Sequence, residues 1–138
     1  MEQLAVEIVG LCREYGECRV EVERMEEARR VKNALESVCA MARQRLDISD
    51  PALLLALLDA CEVTRDEGML QEVLDVVGRN LDRLAVSAES VKLLACCYYY
   101  VEEEECAERA GRMLEELRKM GRGEEELADV ETILEELT

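Results

Sequence analysis

Seven cysteines, several closely spaced carboxylates and a run of three tyrosines are the residues of this sequence with chemistry to offer. The cysteines are Cys12, Cys18, Cys39, Cys61, Cys96, Cys97 and Cys106; they form no CxxC pair, and the chain has no histidine. Without histidine there is no Ser-His-Asp or Cys-His nucleophile system, no His-ligated zinc and no Glu-x-x-His di-iron site. Most of the cysteines fall on apolar helical stripes, so they are expected to pack as small hydrophobes, with no metal and no cofactor. Carboxylates three residues apart can hold magnesium and activate water without a histidine. Glu23 with Glu26, and Glu72 with Asp75, have that spacing, and Glu27 lies one residue further from Glu23 on the same helical side. Glu102, Glu103, Glu104 and Glu105 are four adjacent carboxylates, read as a solvated face that can also hold a basic segment or a loosely bound divalent cation. Tyr98, Tyr99 and Tyr100 point in different directions on a helix, where neighbours lie about 100° apart. Tyr98 is expected inside, leaving Tyr99 or Tyr100 as a surface anchor of the kind enriched at interfaces.

The 138 residues that must position these groups suffice for one domain with a real core. The 49% hydrophobic content excludes intrinsic disorder despite a 36% charged fraction, and the 3% aromatic content makes the core aliphatic. Thirty-three acidic against seventeen basic residues give −16, a field that repels nucleic-acid phosphates and anionic membrane surfaces. The charge is uneven: residues 1–46 carry nine acids and eight bases, while residues 47–138 carry twenty-four and nine, a net −15. The longest apolar run, 51–58, is too short to span a bilayer. An odd number of cysteines and no signal-peptide pattern lead us to expect a reducing cytoplasm.

Periodicity is helical throughout. Leu4, Ile8, Leu11, Cys12 and Tyr15 trace a first helix stopping near Gly16, and Val22, Met25, Val31, Leu35, Val38, Ala42 and Leu46 a second. Taken from about Cys18 to Leu46, the second helix would be roughly 45 Å long. Asp50-Pro51 is a favoured N-cap and first-turn pair, opening a third helix to about Thr64 that is apolar nearly all round. A fourth carries Leu70, Val73, Leu74, Val77, Leu81 and Leu84. Ser87 caps a fifth, running to about Glu102. A sixth carries Ala107, Ala110, Met113, Leu114, Leu117 and Met120, ending at Gly121 and Gly123, and a seventh starts at Glu124. The short gaps predict antiparallel neighbours.

Asp50 and Ser87 superpose at an offset of 37 residues, and the stripes after them coincide: Leu54 on Val91, Leu57 on Leu94, Leu58 on Ala95, Cys61 on Tyr98, then Val73 on Ala110. Two helix pairs with matching faces are how a helical solenoid begins. The second pair resembles a tetratricopeptide repeat (TPR): Leu94-Ala95, Tyr98 and Ala107 fill that family's leucine and small-residue, tyrosine and small-residue places in order. The resemblance covers residues 50–138. It departs at Leu58 and Leu70, where small residues are usual, at Val77 and Leu114, where alanine is usual, and in lacking a proline at the end of either unit. It implies that the first helix of each pair lines an inner groove with Leu55, Asp59 and Glu62 from one pair and Lys92, Cys96 and Tyr99 from the next.

The sequence therefore predicts an all-α protein of about seven helices in antiparallel hairpins, either a TPR-like right-handed superhelix or a helical bundle. A single domain over 1–138 is expected: an N-terminal hairpin over 1–46, two TPR-like pairs over 50–121 and a capping helix over 124–138. The expected function is a non-catalytic protein-interaction module or complex subunit. Its groove, flanked by acidic residues, would bind a peptide or basic protein segment, with no nucleic acid and no membrane as partner. Two alternatives come from other classes. One is a magnesium-dependent hydrolase in the manner of the all-α nucleotide pyrophosphatases, using the spaced carboxylates. The other is a self-assembling structural protein in which the basic second helix (Arg24, Arg29, Arg30, Arg43, Arg45) meets the acidic region of another copy, although intrahelical Glu partners account for most of these arginines.

Overall fold

A computed structural model describes residues 2–121, and the expected capping helix over 124–138 lies outside them. Among the described residues the chain is all α-helical, with six helices and no strand. They are α1 (Glu2–Cys18), α2 (Met25–Arg43), α3 (Pro51–Thr64), α4 (Glu67–Arg79), α5 (Ala88–Val101) and α6 (Glu104–Lys119), with short 3-10 turns at Val22–Arg24 and Leu81–Arg83. No described helix is long and apolar enough to cross a membrane. The chain divides into two compact units, Met1–Val76 and Val77–Thr138.

In the first unit α1 packs against both α2 and α3, and α2 also touches α3. Leu4, Ala5 and Ile8 of α1, Val31, Leu35, Cys39 and Ala42 of α2, and seven α3 residues from Leu53 to Cys61 make its buried core. The Asp50 carboxylate accepts the Leu53 amide at 3.2 Å, with Pro51 behind it in the first turn, so the helix start predicted from Asp50-Pro51 is the one observed. The second unit is built on the α5–α6 hairpin, where Val91, Leu93, Leu94, Ala95 and Cys97 are buried on one helix and Cys106, Ala110, Met113, Leu114 and Leu117 on the other. Ser87 caps α5 by accepting the Ser90 amide at 3.1 Å, and its hydroxyl donates to the fully buried Ser90 hydroxyl at 2.9 Å.

Three helices have boundaries that correct the periodicity reading. The long second helix from Cys18 to Leu46 does not exist: α1 runs through Gly16 to the buried Cys18, the chain turns, and α2 occupies only Met25–Arg43. Val22 and Met25, which extended the apolar stripe, are 83% and 60% exposed, so the stripe continued past the point where there was a core to face. The fourth helix stops at Arg79, and Leu81 and Leu84 are buried from the 3-10 turn and the residue after it.

The 37-residue offset reappears in local geometry. Helices α3 and α5 are both 14 residues long, both start behind a side-chain N-cap, and both end on a non-glycine residue in the left-handed region, Arg65 (φ 61°) and Glu102 (φ 52°). In each, that residue's amide donates to a carbonyl four back, Cys61 or Tyr98, at 2.8 and 2.7 Å. The next helix begins two residues later, at Glu67 or Glu104. A left-handed conformation strains any residue with a Cβ, and glycine relieves it. Arg65→Gly is therefore expected to stabilise the protein by about 0.5–1 kcal/mol, measured as a raised midpoint in urea; an unchanged or lowered midpoint contradicts the strained-cap account.

Candidate functional site

On α3, Leu55, Asp59 and Glu62 stand four and three residues apart and so share one helical stripe. Leu55 is half-buried, while Asp59 and Glu62 reach solvent. Helix α1 packs beside this stripe and sets the Cys12 thiol within electrostatic reach of Asp59. The protein around the Asp59 carboxyl raises its pKa, and the neighbouring Glu62 charge adds to that. The stripe is thus an acidic edge beside a half-buried leucine, and its carboxylates gain from a cation brought against them.

On α5, Lys92, Cys96 and Tyr99 share the corresponding stripe in the second unit. Lys92 and Cys96 are half-buried, and Tyr99 is 63% exposed. Of the three tyrosines Tyr99 is the exposed one; Tyr98, expected inside, is only half-buried, as is Tyr100. The Tyr99 and Tyr100 rings meet edge to face, with centroids 5.3 Å apart and planes at 81°. Val101 beside them is 41% exposed. The chain then passes into the acidic run, with Glu102 capping α5, Glu103 preceding α6, and Glu104 and Glu105 in the first turn of α6, where the helix dipole favours carboxylates. All four are exposed.

Of the carboxylates spaced for magnesium, Glu72, Asp75 and Glu27 are engaged by the protein itself. The Arg43 guanidinium donates to both Glu72 oxygens, at 2.9 and 2.6 Å, and to Asp66 at 3.3 Å. Asp75 accepts from the Gln71 amide at 3.0 Å. Glu27 accepts two hydrogen bonds from Arg24, each 3.0 Å, and stands beside the Cys18 thiol. Among the described residues, no group of three or more cysteines or carboxylates is arranged to hold a metal ion.

Helical spacing does not reveal the Arg43 clasp, because its partners lie 23 and 29 residues away. It ties the end of α2 to the start of α4, where Asp66 also caps the helix by accepting the Met69 amide at 3.0 Å. A second clasp of reversed sign ties the end of the preceding segment to α6 in the second unit: the Arg109 guanidinium donates to Asp82, 27 residues away. Also absent from the spacing is the gathering of Cys12, Cys39 and Cys61 from three helices within mutual electrostatic reach. Burial is the first cause pushing these thiols up, to about 11, 11 and 12, and Cys97 is likewise pushed to about 12. All seven cysteines are free thiols. Compared with protein-family models, curated proteins and solved structures, the chain matches none.

Two outcomes follow from these environments. The hydrogen bonds from Arg43 lower the Glu72 pKa below its usual 4.5, so this contribution is complete above that value and is lost as pH falls through the lowered one. Glu72→Gln should cost about 1 kcal/mol at neutral pH and flatten the acid limb of the stability curve below pH 4.5; an acid limb identical to the parent's would contradict the clasp. The thiols, whose nucleophilic form is the thiolate, should react with a disulfide reagent at neutral pH at least about a hundredfold more slowly in the folded protein than in urea. Rapid native labelling of Cys39, Cys61 or Cys97 would overturn the picture of inert packing.

Proposed function

We propose that this protein is a non-catalytic protein-interaction module or complex subunit with TPR-like helix pairs, working in a reducing cytoplasm and binding a basic, partly apolar polypeptide segment. The observation that carries the reading is the α5 stripe. A helix whose inner side is core presents Lys92, Cys96 and a 63% exposed Tyr99 on one line and leads directly into four exposed carboxylates. A large aromatic held at the surface of an aliphatic protein is an interface anchor, and the surrounding negative charge raises the on-rate of a basic partner.

Support for the TPR-like character comes from the matched lengths, caps and left-handed ends of α3 and α5, and from the two clasps. Both clasps reach from the segment before a helix pair to the second helix of that pair. Free thiols throughout fit a reducing compartment. The α3 stripe supplies a second acidic, partly apolar edge, in Leu55, Asp59 and Glu62.

Titration of the full chain with a short leucine-containing basic peptide, and with its acidic counterpart, tests this reading. The basic peptide should bind and weaken as salt rises, because exposed charges are screened. Tyr99→Ala should weaken it about tenfold or more, with far-UV circular dichroism unchanged. No binding of the basic peptide at low salt, or binding indifferent to Tyr99→Ala and Lys92→Ala alike, rejects the assignment.

A further inference from the structure

The outward side of α2 is unlike that of α6. Every exposed position of α6 is charged, whereas along α2 Asn33, Ser37, Ala40, Met41 and Gln44 form an uncharged exposed strip about three turns long. Met41 is 54% exposed. Arginines close the strip at both ends, Arg29 and Arg30 at one and Arg45 at the other, all of them exposed. The intrahelical partners expected for these arginines are not engaged. Arg24 pairs with Glu21 and Glu27, and Arg43 is held in its clasp. Among the described residues Arg29 and Arg45 make no ion pair, and Arg30 is only within electrostatic reach of Glu27. Few charges at the middle, with methionine and arginine beside them, is the composition of a protein interface. A surface of the opposite kind lies on α6, where Ala107, Glu108, Gly111, Arg112 and Glu115 line a hollow of about 470 Å³. A Cβ at Gly111 would meet no described atom within 4 Å, so the hollow has room there for a visiting side chain.

We propose that this protein associates with itself, the α2 strip of one copy lying on the α6 hollow of the next, with Met41 entering the hollow and arginines of the strip donating to Glu108 and Glu115. Charge fixes the occupant. The strip calls for a partner with carboxylates, and residues 47–138 of the same chain carry −15, while residues 1–46, which bear the strip, carry only −1 and so barely oppose the approach. Two strips do not suit each other: paired antiparallel about their middles, they would set Arg30 against Arg45. The contact is therefore heterologous, each copy offering one strip and one hollow, and assembly continues past two copies unless a ring closes. The self-association goes beyond the interaction-module reading and uses none of Lys92, Cys96 and Tyr99.

Sedimentation velocity of the full chain from about 10 μM to about 1 mM tests this, at about 0.15 M salt, where exposed charges more than ~8 Å apart are screened and those in contact are screened less. The weight-average mass should rise with concentration. Arg30→Glu combined with Met41→Glu, and separately Gly111→Gln, which fills the hollow, should each weaken association about tenfold or more, with far-UV circular dichroism and thermal unfolding close to the parent's. An equimolar mixture of the two variants should regain association but stop at pairs, because one intact strip and one intact hollow remain between them. A parent that stays monomeric over the whole range, association that survives either variant, or a mixture that stays monomeric overturns the proposal.

Discussion

Burying α3 is the constraint on which the first unit depends. Leu53, Leu54, Ala56, Leu57, Leu58, Ala60 and Cys61 are all shielded from solvent, and they point to most sides of the helix rather than to one. A fully buried leucine contributes about 1.5–3 kcal/mol, so leaving one flank of α3 open would forfeit much of what a domain of this size can spare. Helices α1 and α2 both pack on α3, and the stripe of Leu55, Asp59 and Glu62 is among the parts of it left towards solvent. The acidic edge in the first unit is thus a remainder of core packing: it is the part of α3 whose side chains allowed it to stay wet.

An aliphatic core without phenylalanine or tryptophan has to fill small gaps with small side chains, and cysteine serves beside alanine in that role. Cys39 and Cys61 lie inward on α2 and α3, and Cys97 and Cys106 inward on α5 and α6, so cysteine recurs at helix–helix contacts in both units. Their raised pKa values are a consequence of that placement. A thiol titrating at about 11 or 12 is almost wholly protonated at neutral pH, and nearby thiols and carboxylates raise it further. A cysteine-rich chain can therefore be chemically quiet.

What the residues disclosed, and what they withheld, follows the range of the forces involved. Asp50-Pro51 and Ser87 marked the starts of α3 and α5 because capping is a contact over three residues. The all-α class was legible because burial imposes a 3.6-residue period on every helix. The same period misled at Val22 and Met25, where apolar residues on the right face had no core beneath them, and it could not signal the left-handed ends at Arg65 and Glu102, since neither residue type prefers that conformation. Of the site, the stripe of Lys92, Cys96 and Tyr99 could be placed on one helix face from spacing alone, and Tyr99 rather than Tyr98 or Tyr100 emerged as the exposed ring only with the packing of α5 on α6. The Arg43 clasp had no local signature, and arginines on α2 have glutamates nearby in sequence that look equally suitable.

The uneven distribution of charge has a local explanation at the two junctions. Residues 47–138 carry a net −15, and mutual repulsion among like charges costs a compact protein stability. At the first junction that cost is offset by one arginine contributed from α2, which joins Asp66 and Glu72 in a single contact. At the second the clasp is reversed, Arg109 of α6 donating to Asp82, while the residues at the junction are glutamates rather than neutral residues. Helix-dipole stabilisation accounts for Glu104 and Glu105, which lie in the first turn of α6, but gives no reason for Glu102 in a strained left-handed conformation or for Glu103 without a capping hydrogen bond. Glycine at the first position and aspartate or serine at the second would serve the fold better. Glu102 and Glu103 are thus two places where the residue type and the local backbone disagree, as Arg65 is at the end of α3.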